Sequence, residues 1–424
     1  MRRLYTVLLY LALPLVLPYL LFRSVRNPGY RARWGERFGR FTTPGRTGGI
    51  AVHAASLGEV NAASALIKAL AKQYPDEPLT VTTFTPTGSE RVRALFGNTV
   101  EHVYAPLDLP GAVQRFLERV RPRLLVIMET EIWPNLYHAA ATRGIPILIA
   151  NARISQRSFG RYRRLRGLTA DALGKTARIA AQSAGDAERL RALGAPDGRL
   201  TVAGNLKFDV SLPAGLAEEG EAIRVAWGAQ RPVLVAGSTH EREEAVLLRA
   251  FQGVLASVPD ALLVLVPRHP ERFARAAQAA QAAGLKVTRR SAGASCPAGV
   301  QCFLVDTMGE LLRYYAVGDV AFVGGSLEPI GGHNVLEPAA LGRPVLVGPH
   351  TFNFDDITAQ LIDAGAARRV ADGAALQAAV IELFGDANAR DRMGAAARKL
   401  VASGQGALAR TLDEIERLLT AAAG

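Results

Sequence analysis

From residue 48 onward, short apolar runs alternate with Ala- and Leu-rich stretches of helical length, and they do so in two series. The first series predicts strands near Ile50–Ala54, Leu79–Thr83, His102–Tyr104, Leu124–Met128, Ile147–Ala150, Arg178–Ala181 and Leu200–Ala203. The second predicts Val233–Ala236, Leu262–Val266, Leu285–Thr288, Cys302–Val305, Val320–Val323 and Pro344–Val347. Strands separated by helices close into parallel sheets through right-handed crossovers, so the pattern predicts an α/β chain of two doubly wound units. The break falls between Asp209 and Arg231, where SLPAGLAEEGEA is rich in Gly, Pro and acids. The expected division is 1–24, 25–210 and 211–424; a chain of 424 residues is ample for two domains of about 100–200 residues each.

The first segment stands apart from these series. Leu4 to Phe22 is a run of 19 residues without a charge, close to what a bilayer of about 30 Å requires of a helix. Pro14 and Pro18 predict a kinked or tilted helix there. Arg23, Arg26, Arg31, Arg33, Arg37 and Arg40 follow, against Arg2 and Arg3 before it, which places the body of the chain on the cytoplasmic side of the membrane. A cleaved signal peptide is the alternative, but the run is long for one and no small-x-small site follows. The net charge of +12 asks for an anionic partner: nucleic acid, an acidic membrane surface or a phosphorylated substrate. Two cysteines, Cys296 and Cys302, make neither a disulfide framework nor a zinc site.

In an open α/β sheet, ligands bind beyond the carboxyl ends of the strands, so polar residues placed there are the candidates. Gly324 to Pro349, GGSLEPIGGHNVLEPAALGRPVLVGP, reads as strand end, glycine loop, short helix and strand. Bare N–H groups in such a loop could hold a phosphate, and Glu337 one turn into the helix could reach ribose hydroxyls. Gly237-Ser238-Thr239-His240-Glu241 has capping-box spacing from Ser238 to Glu241 and is a second possible cradle. In the first unit, Glu59 sits at a helix start after SLG, where it is either a capping acid or a general base. Glu129 and Glu131 follow a strand end together; capping explains one acid but less easily two. Lys207 follows the last strand of this unit and could neutralise a leaving phosphate. His53, His240, His269 and His333 read as structural hydrogen-bonding groups as readily as catalytic ones. Residues 151–166, NARISQRSFGRYRRLR, hold six arginines and no acid. This is a solvated basic face or a grip for phosphates, and its position suits an anionic lipid better than nucleic acid.

Seven motifs carry a resemblance: SLGE at 56–59, ETEIWPN at 129–135, NARIS at 151–155, GNLKFD at 204–209, PRHPERF at 267–273, MGE at 308–310 and GGHNVLEP at 331–338. Together they resemble the 3-deoxy-D-manno-octulosonic acid (Kdo) transferases, lipid A-modifying glycosyltransferases. The resemblance implies the GT-B fold, with two Rossmann-like domains and an N-terminal membrane-anchor helix. It implies CMP-Kdo as donor, a lipid A precursor (lipid IVA) as acceptor and the cytoplasmic face of the inner membrane as the place of action. It also implies roles: Glu59 as proton acceptor, Glu129 and Lys207 as transition-state stabilisers. Pro267, Arg268, Met308, Gly309, Glu310, Asn334, Val335, Leu336 and Glu337 would contact CMP. Arg153, Arg157 and Arg161 are the expected acceptor contacts, and no metal ion, cofactor or nucleic acid is expected. A nucleotide-sugar epimerase of the same architecture is one rival, although such enzymes are usually without an apolar anchor. A nucleic-acid-binding protein is the other, and it leaves Glu59 and Glu129 unexplained.

Overall fold

A computed structural model describes the chain apart from residues 27, 44, 294 and 422–424 and the side chains of residues 16, 17, 20 and 26. It divides into two compact units, Met1–Asp209 with Gly404–Gly424, and Val210–Ser403. In the first, β1 (Ile50–His53), β2 (Leu79–Thr83), β3 (Glu101–Tyr104), β4 (Leu124–Met128), β5 (Ile147–Ala152), β6 (Arg178–Ala181) and β7 (Leu200–Val202) form one sheet. Its order is β3-β2-β1-β4-β5-β6-β7, and every pairing is parallel. The chain winds outward from β1 to β3 and then returns to the other side of β1 with β4. The crevice between the ends of β1 and β4 is therefore the switch point where such sheets bind ligands.

Strands covered on both faces can be apolar throughout, and all five residues of β4, LLVIM, are buried. The helix Leu57–Gln73 starts at Ser56, whose Oγ accepts from the Glu59 amide, and lays Val60, Ala63, Leu66, Ile67 and Leu70 on the sheet. Each of its larger side chains so buried contributes about 1.5–3 kcal/mol.

The second unit repeats the plan. β8 (Val233–Thr239), β9 (Leu262–Pro267), β10 (Val287–Arg289), β11 (Cys302–Leu304), β12 (Val320–Val323), β13 (Val345–Val347) and β14 (Ala367–Arg369) are ordered β10-β11-β9-β8-β12-β13-β14. All pairings are again parallel, and the switch point lies between β8 and β12. Thirteen of the fourteen strands coincide with an expected run. The fourteenth, β14, ends in two arginines at the sheet edge, where no apolar run marks it.

Two expectations change. A boundary at 210/211 puts residues from Gly404 onward in the second unit, yet they pack in the first. Ala407, Ile415 and Leu419 of the helix Ala407–Ala421 enter the core that holds Ile50, Val52 and Leu66. The Asp209 carboxylate accepts from the amides of Gly406 (2.6 Å) and Leu408 (2.7 Å) and fixes the start of that helix. The first segment forms a helix, Arg2–Arg26, with both prolines inside it. However, among the described residues no helix is long and apolar enough to cross a membrane, so the expected anchor is not shown. Its first turns are tied down: Arg2 Nη1 (3.1 Å) and Thr6 Oγ1 (3.0 Å) both donate to Asn135 Oδ1.

Candidate functional site

At the switch point of the first unit, Glu59 folds back over the start of its own helix. Its Oε2 accepts from the Ala55 amide (2.8 Å) and its Oε1 from the Ser56 hydroxyl (3.0 Å). Burial, followed by the nearby charges of Glu131 and Glu129, outweighs those two bonds and pushes its carboxyl up to about 8. A carboxyl titrating near neutral pH is suited to taking a proton from a hydroxyl and giving it up again. Glu59 thus caps its helix start while its carboxyl stays raised.

Glu129 and Glu131 come from the loop after β4, whose register beside β1 (His53 opposite Ile127) brings that loop next to Glu59. Glu129 has φ 54°, in the left-handed region, and its amide donates to Ala150 O (2.9 Å). Holding a non-glycine residue there costs of order 1–3 kcal/mol and fixes where its side chain leaves the backbone. Glu131 accepts from Trp133 Nε1 (2.8 Å), and burial raises its carboxyl as well. Trp133 in turn packs edge-on against His53, with ring centres 5.4 Å apart. His53 is buried, bonded to Thr82 Oγ1 (2.8 Å) and pushed down to about 4 by burial. It is a neutral part of the wall.

Lys207 lies in the 3-10 turn Leu206–Phe208, which packs on the helix that carries Glu59. Asn205 Oδ1 accepts from the Lys207 amide, and Asn151 Oδ1 from that of Leu206, each at 3.0 Å. Of the arginine segment, the helix Gln156–Arg164 buries none of its residues. Arg157 and Arg161 are exposed and Arg153 is half-buried. The Tyr162 hydroxyl donates to Thr130 O (3.2 Å), which ties this basic helix to the loop of Glu129 and Glu131.

In the second unit the loops after β11, β9, β8 and β12 are neighbours along one sheet edge. The loop after β9 carries Arg268, whose amide donates to Thr239 O (3.0 Å), behind the buried Pro267. After β11 come exposed Met308, Gly309 at φ 85° and Glu310, which accepts from Arg290 Nη2 (3.2 Å) and Arg313 Nη1 (3.3 Å). After β12, Asn334 donates to Glu337 Oε1 (3.0 Å) and accepts from the Leu336 amide (3.1 Å). Burial raises the Glu337 carboxyl, while the Asn334 bond and the charge of Arg268 work against that. Val335 and Leu336 are core side chains, so only their backbone is open to a ligand.

The bare glycine-loop amides expected after β12 are not bare. Those of Gly325 (2.8 Å), Ser326 (3.1 Å) and Leu327 (3.1 Å) donate to the buried Glu243 carboxylate. Gly324 permits this approach, since a Cβ there would lie 2.5 Å from Ser238 O and 2.9 Å from Glu243 Oε2. The expected box from Ser238 to Glu241 is displaced as well. The helix Glu241–Ser257 has His240 as its N-cap, and Glu243 accepts from the His240 amide (3.2 Å). Sequence reading did not single out Glu243, which helical periodicity makes look like one more residue of an amphipathic helix. Among the described residues, no group of three or more His, Cys, Asp or Glu could hold a metal ion.

Two doubly wound parallel-sheet units, with acids at one switch point and a basic, polar edge at the other, place the chain in the GT-B fold class. Residues 32–210 match a family described as 3-Deoxy-D-manno-octulosonic-acid transferase (kdotransferase). The chain is 42% identical to 3-deoxy-D-manno-octulosonic acid transferase of Haemophilus influenzae over 99% of both chains. It is 40% identical to the enzyme of that name from Bordetella pertussis, covering 98% of this chain and 99% of that one. The fold is also similar to the Staphylococcus aureus MnaA–UDP structure, with TM-score 0.53, 14% identity and coverage of 88% of this chain and 97% of the other. The chain belongs to the 3-deoxy-D-manno-octulosonic acid transferase family.

Proposed function

We propose that the protein moves Kdo from CMP-Kdo to a sugar hydroxyl of a lipid A precursor, lipid IVA, with inversion at the anomeric carbon. Family membership supports the donor and the transferred sugar. The observation that carries the mechanism is the Glu59 carboxyl, which burial and two neighbouring acids push up to about 8. Glu59 takes the proton of the attacking hydroxyl, the oxygen bonds to the anomeric carbon from the face opposite the phosphate, and CMP leaves with the electron pair of the breaking bond. One base suffices and no covalent intermediate is needed. Glu129 and Lys207 stabilise the transition state, with the lysine meeting the growing negative charge. Pro267, Arg268, Met308, Gly309, Glu310, Asn334, Val335, Leu336 and Glu337 hold CMP. Arg153, Arg157 and Arg161 hold the acceptor's anionic groups, bidentate where a phosphate allows it.

The place of action is the cytoplasmic face of the inner membrane. The support is the helix Arg2–Arg26, whose Leu4, Leu8, Leu11, Leu15, Tyr19 and Phe22 are exposed, followed by arginines suited to anionic headgroups. Incubation of the purified chain with CMP-Kdo and lipid IVA tests the reading. Release of CMP with a matching gain of Kdo mass on the lipid is expected. An unchanged acceptor, or free Kdo as the product, overturns it.

A further inference from the structure

With Glu243 seated in the loop after β12, a second anion placed against the same amides meets a buried negative charge. An anionic ligand at this edge is then met by side chains. Two of them form an unusual pair: His240 Nε2 and His333 Nε2 lie 2.8 Å apart, with ring planes inclined by 6° and centres 5.2 Å apart. Those distances are what two imidazoles placed end to end in one plane give, so a single straight N–H···N bond joins them. One ring donates and the other accepts, and the two cannot both be charged across this bond. His333 is held in place by its amide bond to Gly324 O (3.1 Å), and Gly325 at φ 68° passes beneath its ring.

From these positions we infer that His240 and His333 form a proton-sharing pair that, with Arg268, binds the phosphate of a phosphodiester and takes up one proton as it does so. The inference rests on the donor-site reading above and deepens it. Every charged or titratable group packed around the pair bears on its charge. His269 stands edge-on to His240 with ring centres 5.6 Å apart, and the charge of Arg268 acts on both rings of the pair. Arg272 is paired with Glu241 and Glu244, each at 2.8 Å. Glu243 is spent on backbone amides, and Glu337 is engaged by Asn334. Burial, His269 and the two arginines lower His240, while burial, His240, Arg268 and His269 push His333 down to about 3.

The empty pair is thus uncharged at neutral pH. A phosphate against it reverses the local field. One opposite charge close to the rings favours the protonated form and raises the pair's pKa from its depressed free value. Its pKa is then higher bound than free, so affinity rises as pH falls through the bound value and is flat above it. When the bond from phosphate to sugar breaks, the electron pair passes to the phosphate oxygen, and an imidazole N–H of the protonated pair outside the His240–His333 bond meets the added charge.

The test is calorimetric binding of cytidine 5′-monophosphate methyl ester to the full chain, in paired buffers of different ionisation enthalpy. This ester's phosphate keeps one charge over the range used. Wild type should take up nearly one proton per ester at pH 5 and almost none at pH 7.5, with affinity about tenfold tighter at the lower pH. His240→Gln and His333→Gln should bind at pH 7.5 and lose that gain. Should either variant unfold, imidazole NMR of wild type decides, because one ring of the pair must become titratable between about pH 5 and pH 7.5 only with ester bound. Binding without proton uptake, or rings unchanged by ester, overturns the inference and leaves the donor-site reading standing. No binding of the ester by folded wild type overturns both.

Discussion

Replacing Glu131 by Gln removes one negative charge beside Glu59 and leaves the local structure in place, since the amide oxygen still accepts from Trp133 Nε1. After burial, the Glu131 charge is the largest influence raising the Glu59 carboxyl to about 8. A neighbouring carboxylate charge, screened by solvent at the half-buried Glu59, is worth about one pH unit. Glu59 then loses its proton at lower pH. The acidic limb of kcat/KM for CMP release should move down by about one unit, measured from pH 5 to 9 at saturating acceptor. Plateau activity should fall modestly, because a weaker base is a poorer catalyst. His53, pushed down to about 4, stays neutral over this range and adds no limb of its own. An acidic limb that stays put or moves up refutes the claim that Glu131 tunes Glu59.

Three further outcomes follow from the same structure. Glu59 titrates higher folded than unfolded, so the native chain binds the extra proton between about 4.5 and about 8 and loses stability as pH rises through that window. The thermal midpoint of Glu59→Gln should therefore gain on wild type from pH 5 to pH 8.5, and a constant difference contradicts the assigned burial. Ile415→Ala, at a fully buried position in the first unit's core, should cost about 2–5 kcal/mol in urea unfolding; a cost near zero contradicts the packing of the C-terminal helix there. Arg157→Ala with Arg161→Ala should raise the acceptor KM well above any change in the donor KM, and equal changes would remove these arginines from the acceptor site.

Much of the fold was legible because buried parallel strands must be apolar along their length, and runs such as LLVIM and VAFV have no competing reading between loops. The last strand was not, because an edge strand of Ala-Arg-Arg needs no apolar run. The return of the C-terminal helix was hidden for a different reason. Ile415 and Leu419 announce an amphipathic helix but carry no mark of which core receives them, and the Asp209 carboxylate that fixes the helix start lies about two hundred residues earlier in sequence. In the candidate site, Glu59 and Glu129 could be picked out because acids after strand ends are unusual. That Glu131 is the charge that bears most on Glu59, after burial, depends on strand register, which a linear reading does not contain. The glycine loop misled in an instructive way. Glycines permit an anion to approach the backbone, but here the anion is Glu243 of the protein itself.

The central claim is that Glu59 is the base, and single-turnover transfer by Glu59→Gln tests it most directly. With CMP-Kdo affinity measured alongside, donor binding should stay within about twofold of wild type while transfer falls by about 10²–10⁴-fold. Transfer at the wild-type rate in a variant that still binds CMP-Kdo contradicts the account.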